Sequence, residues 1–182
     1  IGIRVIGKRR PIPDDVQQGR VPVQDDIADA DVSEQARREV SSINGVDLQR
    51  FRPGDRTAAR SRLGLTGPTV LSVGNLLELK GHHLLIEALA QLPGVTAMIA
   101  GEGPMRAALE RLARERGVAD RVRLPGNLPQ DELIGCYHAA DMLVLASSRE
   151  GMPNVVLESL ACGTPVIATA VGGIPELIDS DE

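Results

Sequence analysis

The stretch "MLVLASSREGMPNVVLESLACGTPVIAT", residues 142 to 169, predicts a strand, a helix and a second strand in succession. Its two ends are short aliphatic runs without polar alternation, which is typical of strands buried on both faces of a parallel sheet. Between them, Pro153 stands where a first-turn proline is tolerated, and Gly163, followed by Pro165, is a helix stop signal. Such a unit, with its right-handed crossover, predicts an α/β domain.

The same alternation of strands and helices extends back to residue 69. Candidate strands are 69–73, 95–100, 121–124, 142–146 and 165–169, and candidate helices are 81–92, 104–116, 130–139, 153–161 and a last one that begins at Pro175. We therefore expect an α/β fold with a Rossmann-like doubly wound parallel sheet in the order 3-2-1-4-5. Ligands of such sheets bind where the winding reverses, here between strands one and four.

The beginning of the chain has a different character. Residues 1 to 43 contain scattered prolines and charges without a sustained period, so we expect an N-terminal segment that is irregular or a remnant of an interdomain region. Within it, only 33 to 40 has a helical signature, with Ser33 as N-cap. Residues 44 to 182 are expected to form the domain, and the chain stops directly after a helical segment without a closing element. We therefore expect that domain to be truncated at its carboxyl-terminal end.

Composition excludes several classes of function. Acidic residues outnumber basic ones 25 to 20, with a formal net charge of −5 and a pI near 5.3, so the electrostatic footprint of a nucleic-acid-binding protein is missing. One Phe, one Tyr and no Trp leave little aromatic surface for stacking sugars, which disfavours a lectin. Cys136 and Cys162 lack metal-site spacing and favour buried thiols in the cytoplasm, and no apolar run reaches the length of a membrane span.

Two loops at the predicted switch point carry the polar residues. "GNLLELKG" (74 to 81) follows strand one and "SSREGMPN" (147 to 154) follows strand four, so the predicted strand order makes them neighbours. Backbone N–H groups near Met152 and Asn154 lack intrahelical acceptors at the start of the helix and attract anions. Lys80 adds a positive charge to the same crevice, and we predict that a diphosphate binds between them.

Two glutamates flank this predicted diphosphate site. Glu150 precedes the helix and is expected to point into the crevice, whereas Glu158 lies two turns on, roughly 8 Å further along the axis at about 1.5 Å per residue. Carboxylates accept hydrogen bonds from paired hydroxyls. The spacing therefore suggests one carboxylate for a hexose and the other for a ribose.

From about Asn44 onward, roughly three quarters of the chain resembles the donor-binding C-terminal domain of a family 4 (group 1) retaining glycosyltransferase of GT-B fold. The matching blocks are "NGVDLQRFRP" (44 to 53), "SVGNLLELKGHHLLIEAL" (72 to 89), "IAGEGPMRAALE" (99 to 110), "VRLPGNLPQDELIGCYHAADMLVLAS" (122 to 147) and "REGMPNVVLESLACGTPVIATAVGGIPELI" (149 to 178). The last block holds the E-x7-E element of that family.

The resemblance implies transfer of a sugar from a nucleotide-diphosphate sugar to an acceptor with retention of configuration, without a metal or other cofactor. By position, the catalytic residues would be Lys80, on the diphosphate, and Glu150, on the donor sugar near its reacting face. Glu158 would bind the ribose, and the loop at Gly126 to Leu128 would contact the base. The implied donor-binding set is Glu158, Gly74, Asn75, Gly126, Asn127, Leu128, Gly151, Met152, Pro153 and Asn154.

The resemblance also implies partners outside this sequence. The acceptor, a glycan or a lipid-linked molecule, would bind through an N-terminal domain that this sequence lacks, so the fragment alone is expected to be inactive. The full-length protein is expected in the cytoplasm, with possible peripheral association at the inner face of the membrane.

Two departures from the family pattern leave alternatives open. Asn75 stands where the family usually places an arginine shortly before the lysine, and the first 30 or so residues match no part of the pattern. A non-catalytic nucleotide-sugar-binding domain therefore remains an alternative, as does an epimerase or phosphorylase of the same overall fold. "GEGPMR" (101 to 106) does not predict a dinucleotide site, because Arg106 replaces the third glycine.

Overall fold

The computed structural model describes residues 3–6 and 45–177 of the 182-residue chain. The described strands are β1 (Ile3–Ile6), β2 (Thr69–Val73), β3 (Thr96–Ala100), β4 (Val122–Gly126), β5 (Met142–Leu145) and β6 (Val166–Thr169). The described helices are α1 (Arg56–Leu63), α2 (His82–Leu89), α3 (Arg106–Glu115), α4 (Gln130–Ala139), α5 (Asn154–Ala161) and α6 (Ile174–Leu177). None of these helices has both the length and the apolar character that a membrane crossing requires.

The strands form one sheet in the order β1-β6-β5-β2-β3-β4. The five strands from β2 to β6 are parallel, with Leu71 opposite Leu143 at the central pair and Leu143 opposite Val166 at the next. Numbered along the chain, these five strands have the order 3-2-1-4-5, which confirms the predicted doubly wound sheet. The switch point therefore lies between β2 and β5.

Helices cover both faces of the sheet, and the residues of β3 show how the two cores are divided. Met98 and Ala100 belong to the core that packs against α1, α4 and α5, whereas Ala97 and Ile99 belong to the core that packs against α2 and α3. Successive side chains of a strand point to opposite faces, so a strand buried on both sides carries an unbroken apolar run. This is why the strands lack polar alternation in the sequence.

The two cysteines lie in the core beneath α4 and α5, as predicted. Cys136 and Cys162 are both buried free thiols. Burial raises the pKa of Cys136 to about 11 and the pKa of Cys162 to about 12, so both remain protonated at neutral pH. They pack as small apolar groups.

Two described elements were not predicted from the sequence. β1 pairs antiparallel with β6, from Ile3 opposite Thr169 to Ile6 opposite Val166, and so adds a sixth strand at the edge. The helix α1 precedes β2; Asp55 caps its first turn by accepting from the Ala58 N–H at 2.9 Å, and Gly64 ends it with a φ of 59°.

The helix predicted at 130–139 agrees with α4 at both ends, and the boundaries of the other helices differ from the predictions by up to three residues. The α3 helix begins at Arg106 and not at Pro104, because Gly103 and Pro104 lie in the turn that precedes it. Pro153 occupies the N-cap of α5 and not its first turn, and Gly163 follows α5 with the positive φ of 77° expected of a helix stop. The predicted helix at 33 to 40 lies outside the described residues.

Candidate functional site

The loops that follow β2 and β5 touch at the switch point. The Ser148 N–H donates to the Leu79 carbonyl at 2.8 Å, which joins the two loops by backbone. Gly81, at the start of α2, comes so close to β5 that a Cβ on it would lie 2.1 Å from the Ala146 carbonyl oxygen. Only glycine permits this contact without a shift of the backbone. The winding of the sheet thus places both polar loops in one crevice at its carboxyl edge.

Lys80 and Glu150 form an ion pair in this crevice. The Lys80 ammonium donates to both carboxylate oxygens of Glu150, at 2.7 and 2.9 Å, and the hydroxyl of the buried Ser147 donates to Glu150 Oε1 at 2.7 Å. The Glu150 side chain is 6% exposed and that of Lys80 is 22% exposed. The cation is therefore the more accessible member of the pair, and its third N–H has no partner among the described residues.

The Glu150 loop rests on the chain that follows β6. The Thr169 hydroxyl donates to the Ser147 carbonyl at 2.5 Å, and the Gly173 N–H donates to the Gly151 carbonyl at 2.9 Å. Gly172 has a φ of 57°, and a Cβ on it would lie 1.8 Å from the Glu150 carbonyl oxygen. The Gly-Gly pair therefore lets two backbone segments meet under the ion pair.

The start of α5 offers hydrogen-bond donors next to this pair. Pro153 is the N-cap, and within the described chain no acceptor takes the backbone N–H groups of Met152, Asn154 and Val155. The side-chain oxygen of Asn154 is enclosed and has no hydrogen-bond partner among the described residues. Unsatisfied N–H groups at the positive end of a helix attract anions.

Glu158 lies apart from the ion pair and faces α4. Its Oε2 accepts from the Tyr137 hydroxyl at 2.8 Å, and it makes no described contact to Lys80 or Glu150. Burial raises the pKa of the Glu158 carboxyl, and the hydrogen bond from Tyr137 counters part of that rise. The two glutamates of the E-x7-E element therefore occupy two different environments.

Gly74 and Asn75 shape the loop after β2. A Cβ on Gly74 would lie 3.8 Å from the aliphatic stem of Lys80, so that stem passes over the glycine. The Asn75 side chain is exposed, whereas the backbone carbonyl of Asn75 lies 3.3 Å from Nε2 of the buried His82. His82 Nδ1 lies 3.1 Å from the Ser72 hydroxyl. The imidazole thus fixes the loop to β2.

The predicted base-contacting loop lies on the other side of β3. Gly126 ends β4 with a φ of 84°, and its carbonyl accepts from the Gly101 N–H at 2.9 Å. Asn127 is exposed, and Leu128 packs on the edge of the core. The structure places this loop at the same carboxyl edge as Lys80, two strands away, without a direct contact between the two.

Three residues of the site were not predicted: Ser147, Tyr137 and His82. Ser147 had a usable signal, because it directly follows a buried strand at the switch point. Tyr137 had none, since its partner Glu158 is 21 positions away on another helix. No group of three or more His, Cys, Asp or Glu suited to a metal ion occurs in the described part of the chain.

Two concavities lie at the two edges of the sheet. One of 580 Å³ lies at the carboxyl edge and is lined by Leu79, Leu84 and Ser148, but neither Lys80 nor Glu150 lines it. A larger one of 760 Å³ lies at the amino edge and contains Arg56 and Asp141. Arg56 and Asp141 pair with each other at 2.5 Å. Neither of these two charges is therefore free to bind a ligand in the larger concavity.

Comparison with known proteins shows the family and the fold of this chain. The family model "Glycosyl transferases group 1" matches residues 55–182. D-inositol 3-phosphate glycosyltransferase of Mycolicibacterium smegmatis is 44% identical in an alignment of 141 residues that covers 72% of this chain and 32% of that protein. The chain thus spans about a third of the curated relatives that it matches.

Two solved structures share the fold. The C-terminal domain of a glycosyl transferase group 1 family protein, LpcC from Francisella tularensis, has a TM-score of 0.67 at 29% identity, covering 76% of this chain and 77% of that one. Anabaena HepE in complex with UDP-glucose has a TM-score of 0.69 at 26% identity, covering 80% of this chain and 45% of that one. The first of these is a C-terminal domain solved by itself.

Proposed function

Because this chain belongs to the glycosyl transferases group 1 family, we propose that its carboxyl-edge crevice binds the diphosphate of a nucleotide-diphosphate sugar. The protein that contains it would transfer the sugar to an acceptor with retention of configuration. One observation carries the proposal: Lys80, the more exposed member of a partly buried ion pair, is bonded to Glu150, which lies just before the open start of α5. The similarity to HepE, which was solved with UDP-glucose, supports it.

The proposed chemistry is stabilisation of the leaving group. As the bond between the sugar carbon and the diphosphate oxygen breaks, the electron pair stays on the diphosphate, and its negative charge grows. The third N–H of Lys80 and the N–H groups of Met152 and Asn154 are preorganised to meet that charge, which is worth most in a crevice with little water. We propose that these groups take the place of a divalent metal.

If the diphosphate binds beside Lys80, the other parts of the nucleotide-diphosphate sugar can be assigned to residues around it. We propose that Glu150 orients the donor sugar, because its loop lies next to the diphosphate site, and that Glu158 binds the ribose. Gly74, Asn75 and Gly151 would supply close backbone approach, while Gly126, Asn127 and Leu128 would contact the base. The donor-binding unit would be residues 44 to 182, and Pro153 would set the start of α5.

A titration of the chain with UDP-, GDP- and ADP-sugars tests diphosphate binding. We expect Lys80→Ala to weaken the preferred nucleotide sugar about 10-fold or more, since a hydrogen bond to a charged group contributes about 1.5 to 3 kcal/mol. Arg111→Ala is the matched control, because it removes an equal charge from an exposed position on α3. Equal affinities of wild type and Lys80→Ala would remove Lys80 from the site.

We propose that turnover needs an acceptor-binding half outside this sequence. We propose that this half binds a glycan or lipid-linked acceptor, in the cytoplasm or at the inner face of the membrane, and that the chain alone transfers little. In the full-length protein, Glu158→Ala should weaken donor binding, and Glu150→Ala should lower turnover by about 10² to 10³ with a smaller effect on binding.

The main alternative is a non-catalytic nucleotide-sugar-binding domain. It is favoured by Asn75, whose exposed, uncharged side chain stands where an arginine is expected. Detection of a transferred sugar with retained anomeric configuration, with the full-length protein, would exclude this alternative. An epimerase or phosphorylase would bind the same donor but leave no such product.

A further inference from the structure

Tyr137 is a completely buried polar ring that is bonded to Glu158, one of the proposed donor-binding residues. Its side chain is 0% exposed, its ring meets Phe51 edge to face at 6.3 Å between centroids, and its hydroxyl donates to Glu158 Oε2 at 2.8 Å. Burying a hydroxyl is costly unless it is hydrogen-bonded, so this bond fixes where the phenol can point. The proposed function does not account for the contact.

The contact leaves one oxygen of Glu158 open. Oε1 has no hydrogen-bond partner in the described part of the chain, yet it is not among the enclosed unpaired atoms. Both α4 and α5 begin at the carboxyl edge of the sheet, and helical side chains lean toward the start of their helix. Glu158, in the second turn of α5, therefore leans toward the edge that carries the Lys80 crevice, whereas Tyr137 lies in the last turn of α4, toward the amino edge.

We propose that Tyr137 is a positioning residue: its hydroxyl holds the Glu158 carboxylate by one oxygen, so that the other faces the ribose diol of a bound nucleotide. This inference rests on the proposed function, which assigns the ribose to Glu158. Tyr137 itself would not touch the nucleotide.

The surroundings of Tyr137 hold it in place. The Thr164 hydroxyl donates to the Tyr137 carbonyl at 2.7 Å, and the Ser159 hydroxyl donates to the Thr164 carbonyl at 3.0 Å, both in buried positions. These bonds connect the end of α4, the middle of α5 and the turn before β6. A carboxylate held by such a frame loses little further rotamer entropy when a ligand arrives.

The protonation states suit this role. Burial, with the nearby Glu158 charge, raises the pKa of Tyr137 far above its usual range, so the hydroxyl remains a donor at neutral pH. Burial also raises the pKa of Glu158, while the Tyr137 hydrogen bond lowers it and favours the charged carboxylate. A charged carboxylate only accepts hydrogen bonds, as the two ribose hydroxyls require.

The test compares ribose with 2′-deoxyribose ligands. The chain is titrated with UDP and 2′-deoxy-UDP, or with the corresponding GDP or ADP pair if that base binds better. The ratio of the two dissociation constants is the ribose preference of each variant. We expect Tyr137→Phe to weaken the ribonucleotide about 3- to 10-fold while the deoxynucleotide changes little. The ribose preference should therefore fall toward that of Glu158→Ala.

A control separates this role from ordinary packing. Phe51→Leu disturbs the apolar contact to the same ring but keeps the hydroxyl, so it should weaken both ligands alike and leave the ribose preference intact. If Tyr137→Phe kept the ribose preference of wild type while Glu158→Ala lost it, the positioning role of Tyr137 would be overturned. The assignment of the ribose to Glu158 would stand. Failure of wild type to bind any of the three nucleotides would overturn the proposed function, and this inference with it.

A second measurement needs no variant of Tyr137. Because this is the only tyrosine of the chain, a 13Cζ-tyrosine label gives a single NMR signal. The inference predicts that the ribonucleotide shifts this signal and that the deoxynucleotide shifts it less. Equal shifts with the two ligands would contradict it even if Tyr137→Phe did not fold.

Discussion

Lys80 and Glu150 hold each other in place before any ligand arrives. A lysine loses up to about 2 kcal/mol of rotamer entropy when its side chain is immobilised, and here the two bonds to Glu150, at 2.7 and 2.9 Å, have already fixed it. A diphosphate would then meet a cation whose position is set. The rotamer entropy of Lys80 is therefore lost when the chain folds and not when the ligand binds. Preorganised sites gain affinity in this way.

The buried His82 makes the same loop sensitive to acid. The Asn75 carbonyl can only accept, so Nε2 carries the proton and Nδ1 accepts from the Ser72 hydroxyl. Burial is the largest cause that lowers the pKa of His82 below 6.5, and the Lys80 and His83 charges add to it. Just below pH 6.5, His82 therefore binds a proton in the unfolded chain but stays neutral in the folded chain.

We expect the contribution of His82 to stability to be complete above pH 6.5 and to be lost as the pH falls below it, toward the lowered pKa of the folded state. The loss is at most about 1.4 kcal/mol for each pH unit. Urea unfolding of wild type and His82→Gln between pH 8 and 5 measures it, because the variant should lack this slope.

The quantity to compare is the difference in free energy of unfolding between wild type and His82→Gln at each pH. Glu158 is present in both, and its contribution changes with pH in the opposite direction. Its pKa is raised above 4.5 in the folded state, so its contribution grows as the pH falls toward 4.5. His83→Gln controls for the loss of a neighbouring imidazole. Parallel pH profiles for wild type and His82→Gln would contradict the assignment of a neutral, buried His82.

Residues of the site could be predicted where the topology alone placed them. Lys80 and Glu150 lie in the loops that follow the two strands at the switch point, so the strand order brings those loops together. Their direct pairing could not be predicted, because it depends on side-chain reach across two loops. The bond between Tyr137 and Glu158 joins two helix interiors, and no local pattern marks it.

At the level of the elements, the buried parallel strands were the most predictable part. The strand predicted at 69–73 agrees with β2 at both ends, and the other four differ by one or two residues. The α1 helix was missed because Ala59 is its only buried residue, so no apolar period marks it. It is held by Arg56 and Arg60, which both pair with Asp141, 85 and 81 positions later in the chain.

The turn at Gly172 carries the Glu150 loop, and this leads to a prediction about that element. Gly172→Ala combines a left-handed φ of 57° with a Cβ 1.8 Å from the Glu150 carbonyl oxygen. We expect it to destabilise the chain by more than the roughly 1 to 2 kcal/mol of left-handed strain, and to weaken nucleotide binding several-fold because the Glu150 loop must move. Urea unfolding and nucleotide titration measure the two effects.

Gly64→Ala is the matched control for this variant. Gly64 has nearly the same φ, 59°, but a Cβ on it would meet nothing within 4 Å. It should therefore show the conformational strain alone, with nucleotide affinity unchanged. If both variants lost stability equally and bound nucleotide equally, the backbone contact under Glu150 would have no role in the site.

In the molecule as a whole, the reversal of winding creates the crevice. The crossovers through α2 and α3 cover one face of the sheet, and those through α4 and α5 cover the other. The loops after β2 and β5 therefore diverge to opposite faces and leave a gap between them at the carboxyl edge. This feature was predictable, because it depends only on the order of strands and helices.

The sixth strand was not predictable, because its pairing joins residues more than 150 positions apart. β1 covers the edge of β6, which would otherwise present unpaired backbone groups. In an antiparallel ladder, neighbouring residues of an edge strand alternately donate to the partner and to solvent. One of Arg4 and Val5 must therefore donate its N–H to β6, and the other must not.

The single variants Arg4→Pro and Val5→Pro test this pairing and control for each other. Each removes one N–H and restricts the chain similarly, but only one removes a ladder bond, and proline is tolerated on an edge strand where the N–H faces solvent. We expect one variant to lower the free energy of unfolding by about 1 kcal/mol or more and to promote self-association, measured by urea unfolding and analytical ultracentrifugation. The other variant should stay close to wild type. Two variants that both match wild type would show that β1 does not stabilise the edge of β6, and the sheet would then depend on its five parallel strands alone.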